Sequence, residues 1–137
     1  MPVIAANDRI FINSFGKHGE YCSFEGDNVH FWANSIDPGL NITFREDPTP
    51  VNVFSFKIKG TISYPTEWGR VRFECYEDMA SDPCFVDESL LKDLYAASND
   101  FHDVVIKFPR TFNVKKIQMF FIGPAVVDVR LKDFIIK

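Results

Sequence analysis

Residues 68–76 read Trp-Gly-Arg-Val-Arg-Phe-Glu-Cys-Tyr, a stretch in which apolar and chemically active side chains take turns. In an extended strand successive side chains point to opposite faces, so Val71, Phe73 and Cys75 form one face and Trp68, Arg70, Arg72, Glu74 and Tyr76 the other. The second face places aromatic planes beside charged donors and acceptors. That combination suits adhesion to a ligand better than bond breaking.

The same parity applied to residues 28–34 turns Val29, Phe31 and Ala33 inward and leaves His30, Trp32 and Asn34 outside. Near the chain end Val127, Val129 and Leu131 face in, while Asp128 and Arg130 face out. Over residues 51–63 the core face is Phe54, Phe56, Ile58 and Ile62, and the outer face is the polar series Ser55, Lys57, Lys59, Thr61 and Ser63. Flat rings next to Arg, Glu, Asp and Asn supply what a sugar requires: apolar planes for its C–H groups and paired polar groups for its hydroxyls. Carbohydrate recognition by Trp32, Trp68 and Tyr76 as stacking surfaces, with Arg70, Arg72, Glu74, His30 and Asp128 around them, is the expectation. These faces form one groove only if their strands share a sheet. The plainer alternative makes Trp68 a strand-end anchor and the charges a solvated cross-strand pattern.

A search for catalytic groups returns little. His18, His30 and His102 are far apart, with neither a His-x-x-x-His pair nor a Gly-x-Ser-x-Gly elbow nor a phosphate loop around them. Glu74 and Asp128 would serve a small polysaccharide-active enzyme only if they flanked one glycosidic bond. Cys22, Cys75 and Cys84 lack zinc or redox spacing; they read as buried or free thiols, with a Cys75–Cys84 bridge in an oxidising compartment as the alternative. A third class is a protein-interaction sandwich that uses the same aromatics and arginines as interface anchors.

The elements that must position these residues are strands. The 137 residues suffice for one domain spanning 1–137, and 15 phenylalanines point to an aromatic β core. A net charge of −4 without a dense basic run argues against nucleic acid, and no run is long enough for a membrane span or shaped as a signal peptide. Period-two runs cover 9–15, 21–24, 28–33, 40–45, 51–63, 68–77, 103–108, 115–122 and 126–136, separated by turn-forming clusters such as Asp37-Pro38-Gly39. Two stacked antiparallel sheets follow. Between 78 and 100 the alternation breaks, and Leu90, Leu91 and Leu94 behind Asp87 and Glu88 predict one short inserted helix over about 87–97.

The order of the runs Val53–Gly60, Asp103–Pro109 and Val126–Ile136, with an extended strand ending in Lys-Gly, a strand ending at Phe-Pro and a last strand carrying Asp-Phe, resembles the jelly-roll carbohydrate-binding modules of the galactose-binding-like type. The likeness spans nearly the whole chain. It implies an all-β jelly-roll sandwich and a non-catalytic module that holds a plant or microbial polysaccharide, secreted or at the cell surface as part of a larger protein, with the catalytic domain of a parent enzyme as a partner. It also implies a structural calcium held by carboxylates near the first and last strands, for which Asp133, Glu25 and Asp8 are the matching candidates. The insertion around 87–97 departs from the pattern and stands where it could wall or cover the groove.

Overall fold

The computed structural model describes residues 4–5, 9–15, 20–26, 28–46, 49–63, 70–77, 82–87, 98–122 and 124–137. They form eleven strands: β1 (Ile4–Ala5), β2 (Ile10–Ser14), β3 (Tyr21–Glu25), β4 (Asn28–Ile36), β5 (Gly39–Phe44), β6 (Thr49–Ser63), β7 (Arg70–Tyr76), β8 (Phe85–Asp87), β9 (Ser98–Val114), β10 (Lys116–Ile122) and β11 (Pro124–Ile136). The first sheet runs in the order β1-β2-β5-β10-β7-β8, the second in the order β3-β4-β11-β6-β9, and every pairing is antiparallel.

The alternation in the sequence is what holds the two sheets face to face. On β10 every second residue is buried, with Ile117, Met119 and Phe121 at 1% exposure or less. Phe54, Phe56, Ile58 and Ile62 of β6, Val71, Phe73 and Cys75 of β7, and Val127, Val129 and Leu131 of β11 are all buried, as parity requires. Phenylalanine bridges the layers: Phe31 of the second sheet stacks on Phe121 of the first at 5.6 Å and 14°, and Phe56 meets Phe73 edge-on at 5.9 Å. Each such ring contributes about 1.5–3 kcal/mol by leaving water, with up to roughly 1 kcal/mol more from ring geometry.

The sequence expectation differs from the structure in three places, the largest being β9, which runs from Ser98 through Pro109 to Val114 where a strand over 103–108 ending at Phe-Pro is expected. β1 and β8, of two and three residues, are too short to show a period. Most of the expected helix over 87–97 lies outside the described residues; Asp87 itself ends β8, paired to Phe73, and is not a helix start.

Candidate functional site

The outer face of the first sheet is built in rows by the strand register. Asn13, Asn41, Gln118 and Glu74 lie side by side across β2, β5, β10 and β7. Gln118 Nε2 donates to Asn41 Oδ1 at 2.9 Å, so this row carries amide donors, amide acceptors and a carboxylate in one line. Glu74 is anchored on both sides: Tyr76 Oη donates to Oε1 at 2.7 Å and Arg72 Nε lies 2.8 Å from Oε2. The next row aligns Gly39, Phe120 and Arg72. Phe15 closes over it, its ring 5.0 Å from that of Phe120 at 61°. Gly39 makes this possible, because a Cβ there would collide with the Phe15 ring and the Met119 carbonyl. A glycine in β5 therefore creates the aromatic floor.

Two clefts open on this face and meet at Phe120. One, of about 280 Å³, is lined by Asp37, Arg72, Glu74, Phe120 and Ile122. The other, of about 360 Å³, is lined by Phe15, Asn41, Gln118 and Phe120. Joined, they fall within the size range of small-ligand sites, with an apolar ring at the centre and polar groups around it.

Tyr76 shares the face but is covered, at 6% exposure, with Lys116 Nζ 4.8 Å from its ring centroid. It braces Glu74 and offers no stacking plane, which corrects the role expected from parity. Burial and its bond to Glu74 push its hydroxyl up to about 12, from an ordinary value of 10. A raised value means the folded state holds the proton more tightly, so the stabilisation is complete below pH 10 and disappears as pH rises through about 12. Ultraviolet titration is expected to show a tyrosine that ionises only near pH 12, a feature that Tyr76→Phe removes.

Trp32, His30 and Asp128 lie on the other side of the sandwich. Trp32 of β4 packs against Tyr21 of β3, with rings 6.0 Å apart and 25° from parallel, and Asp128 of β11 is in register with Trp32. His30 Nε2 meets Asp128 Oδ1 at 2.6 Å, and Arg130 Nη1 meets the same oxygen at 3.2 Å. His30 is only 7% exposed, because Tyr21 and Asp128 cover its ring. The expectation of one groove joining Trp32, His30 and Asp128 to Arg72, Glu74 and Tyr76 is thus corrected: the two sets face outward from different sheets. For the same reason Glu74 and Asp128 cannot flank one glycosidic bond, since a core about 10 Å thick separates their sheets. Arg70 begins β7 in register with Ile122, and Trp68 lies outside the described residues.

Of the expected calcium ligands, Asp133 and Glu25 lie in described strands. Asp133 sits at positive φ (56°) in a bulge of β11, while Glu25 ends β3, two strands away and so about 10 Å off. Asp8 lies outside the described residues, among which no group of three or more His, Cys, Asp and Glu side chains gathers.

An aspartate-to-alanine variant of the carbohydrate-binding module CBM29-2 superposes with a TM-score of 0.61 at 12% identity, over 97% of this chain and 82% of that one. The chain has the fold of the family 29 carbohydrate-binding modules. A lysine-to-alanine variant of CBM29-2 complexed with cellulohexaose matches with a TM-score of 0.56 at 10% identity, over 93% and 91% of the two chains. An aspartate-to-alanine variant complexed with mannohexaose gives 0.54 at 10%, over 90% and 78%. No protein-family model matches the chain, and no curated protein matches it in sequence. At such identities the shared property is the jelly-roll β-sandwich expected from the strand order.

Sequence reasoning singled out Arg72 and Glu74 but passed over Phe15, Asp37, Asn41, Gln118 and Phe120. Parity on β10 turns Gln118 and Phe120 outward and was readable. Their union with Asn41 and Glu74 depends on cross-strand register, which no single strand encodes.

Proposed function

We propose that this domain is a non-catalytic carbohydrate-binding module whose glycan lies across the outer face of the first sheet. The observation that carries the proposal is the pair of clefts meeting at Phe120, with the Phe15–Phe120 rings on one side and the Glu74–Gln118–Asn41 row on the other. Phe120 supports a pyranose ring by its C–H face. Arg72 donates to hydroxyl oxygens, Glu74 accepts from hydroxyl hydrogens, and the two amides do both. The cellulohexaose and mannohexaose complexes of the structural neighbours favour an extended glucan or mannan chain as ligand. Holding a polymer is most useful to a linked domain that acts on it, by raising its effective concentration, so the proposed partner is the catalytic domain of a parent enzyme.

The interaction-module reading needs a contiguous apolar patch. The described exposed apolar side chains, Tyr21, Phe24, Ile36, Val86, Val105, Val126 and Ile135, are spread over five strands in both sheets, as on ordinary surfaces.

Isothermal titration with cellohexaose and mannohexaose distinguishes the two faces of the sandwich. At least one hexasaccharide is expected to bind. Phe120→Ala should weaken it by about tenfold or more, the loss of a stacking ring being worth roughly 1–2 kcal/mol, while Trp32→Ala leaves it unchanged. Loss of binding with Trp32→Ala and none with Phe120→Ala would move the site to the second sheet.

A further inference from the structure

Cys75 and Cys84, nine positions apart, come together where the edge strand β8 joins β7. Cys75 is registered with Phe85, the residue after Cys84, and Cys84 N–H donates to the Cys75 carbonyl at 2.8 Å. Cys84 does not continue the strand. Its side chain turns back, so that Sγ lies 3.2 Å from the Cys75 carbonyl oxygen and 3.7 Å from Cys75 Sγ. Both sulfurs are thiols, in van der Waals contact, on backbones already clamped by a hydrogen bond.

We propose that Cys75 and Cys84 are a disulfide modification site, oxidised by a low-molecular-weight disulfide such as oxidised glutathione. Cys84 is the entry point because it is partly exposed, whereas Cys75 is 2% exposed. The Cys84 thiolate attacks one sulfur of the oxidant, whose S–S bond breaks and releases one reduced thiol. The Cys75 thiolate then attacks Cys84 Sγ, the mixed disulfide breaks, and a second reduced thiol leaves. Two protein thiols lose two protons and two electrons, and one external disulfide gains them.

The third thiol is placed out of reach. Cys22 lies on β3, at the edge of the second sheet that packs over β1 and β2, while β7 and β8 form the opposite edge of the first sheet. It is buried, and burial pushes its thiol up to about 12. Burial also raises Cys75 and Cys84, so oxidation accelerates as pH rises and the thiolate fraction grows. Once formed, the bridge pins β8 beside the strand that carries Glu74, and it forms in oxidising compartments rather than in a glutathione-reduced cytosol.

The test is incubation of the whole chain with excess oxidised glutathione, followed by thiol titration in denaturant, intact mass and peptide mapping. Titratable thiols should fall from three to one, the mass should drop by two hydrogens with no glutathione attached, and one linked peptide should contain Cys75 and Cys84. Cys22→Ser should fall from two thiols to none, and Cys84→Ser should form no internal bridge. Three persistent thiols, a stable glutathione adduct in place of the bridge, or a bridge to Cys22 would overturn the proposal. None of these readouts depends on glycan binding, so this site stands or falls separately from the proposed function.

Discussion

Replacing Gly60 with valine is expected to destabilise the fold by about 3 kcal/mol or more. Gly60 lies three residues from the end of β6 at φ 130°, a conformation that residues with a Cβ adopt only under strain. It pairs with Val129 of β11 on one side and, after a register shift, with Ser98 of β9 on the other. A Cβ at this position would collide with the Asp128 carbonyl and approach Val129 Cα to 2.8 Å. Both obstacles are backbone in the middle of the second sheet and cannot move aside as a flexible side chain would. Backbone strain of about 1–3 kcal/mol therefore adds to a steric clash that only displacement of β6 from β11 relieves. Urea unfolding followed by circular dichroism measures the effect. A midpoint shift worth less than about 1 kcal/mol would contradict the register described for β6 and β11.

Glu74→Gln is expected to weaken glycan binding by roughly tenfold to a hundredfold while the domain stays folded. The carboxylate accepts from Tyr76 through one oxygen and pairs with Arg72 through the other, which fixes its orientation at the cleft wall. Its amide isostere keeps the volume and one acceptor but loses the charge that orients Arg72 and strengthens each bond to a sugar hydroxyl. A hydrogen bond to a charged group is worth about 1.5–3 kcal/mol, which is roughly the predicted loss in affinity. The pair itself is partly open to solvent, so its contribution to folding is expected to be small, below about 1 kcal/mol. Titration with cellohexaose or mannohexaose, beside a thermal melt of the same sample, separates the two effects. Unchanged affinity with an unchanged melt would remove Glu74 from the site.

The layers of the fold were legible because strand parity is local. Phe54, Phe56 and Ile58, or Val71, Phe73 and Cys75, announce a buried face within five residues, and each is buried in the sandwich. What one strand cannot announce is its neighbour. Trp32 and Glu74 share a pattern of exposed aromatics and charges, yet β4 and β7 lie in different sheets, and the single groove drawn from them separates into two faces. Tyr76 shows the same limit at closer range: its parity is outward, but its hydroxyl turns to Glu74 two residues earlier and Lys116 closes over the ring. The aromatic floor was hidden for a different reason. Phe15 lies just beyond the end of β2, and it reaches Phe120 only because β5 begins with a glycine.

Retention of polysaccharide by the domain is read out by affinity electrophoresis without any assumption about which face binds. The purified chain is run through native gels containing soluble β-glucan, xylan, mannan or pectin, beside a non-binding protein of similar size. Retardation is expected in β-glucan or mannan gels, weakened by Phe120→Ala and by Glu74→Gln. Mobility equal to that of the reference protein in every gel would contradict it.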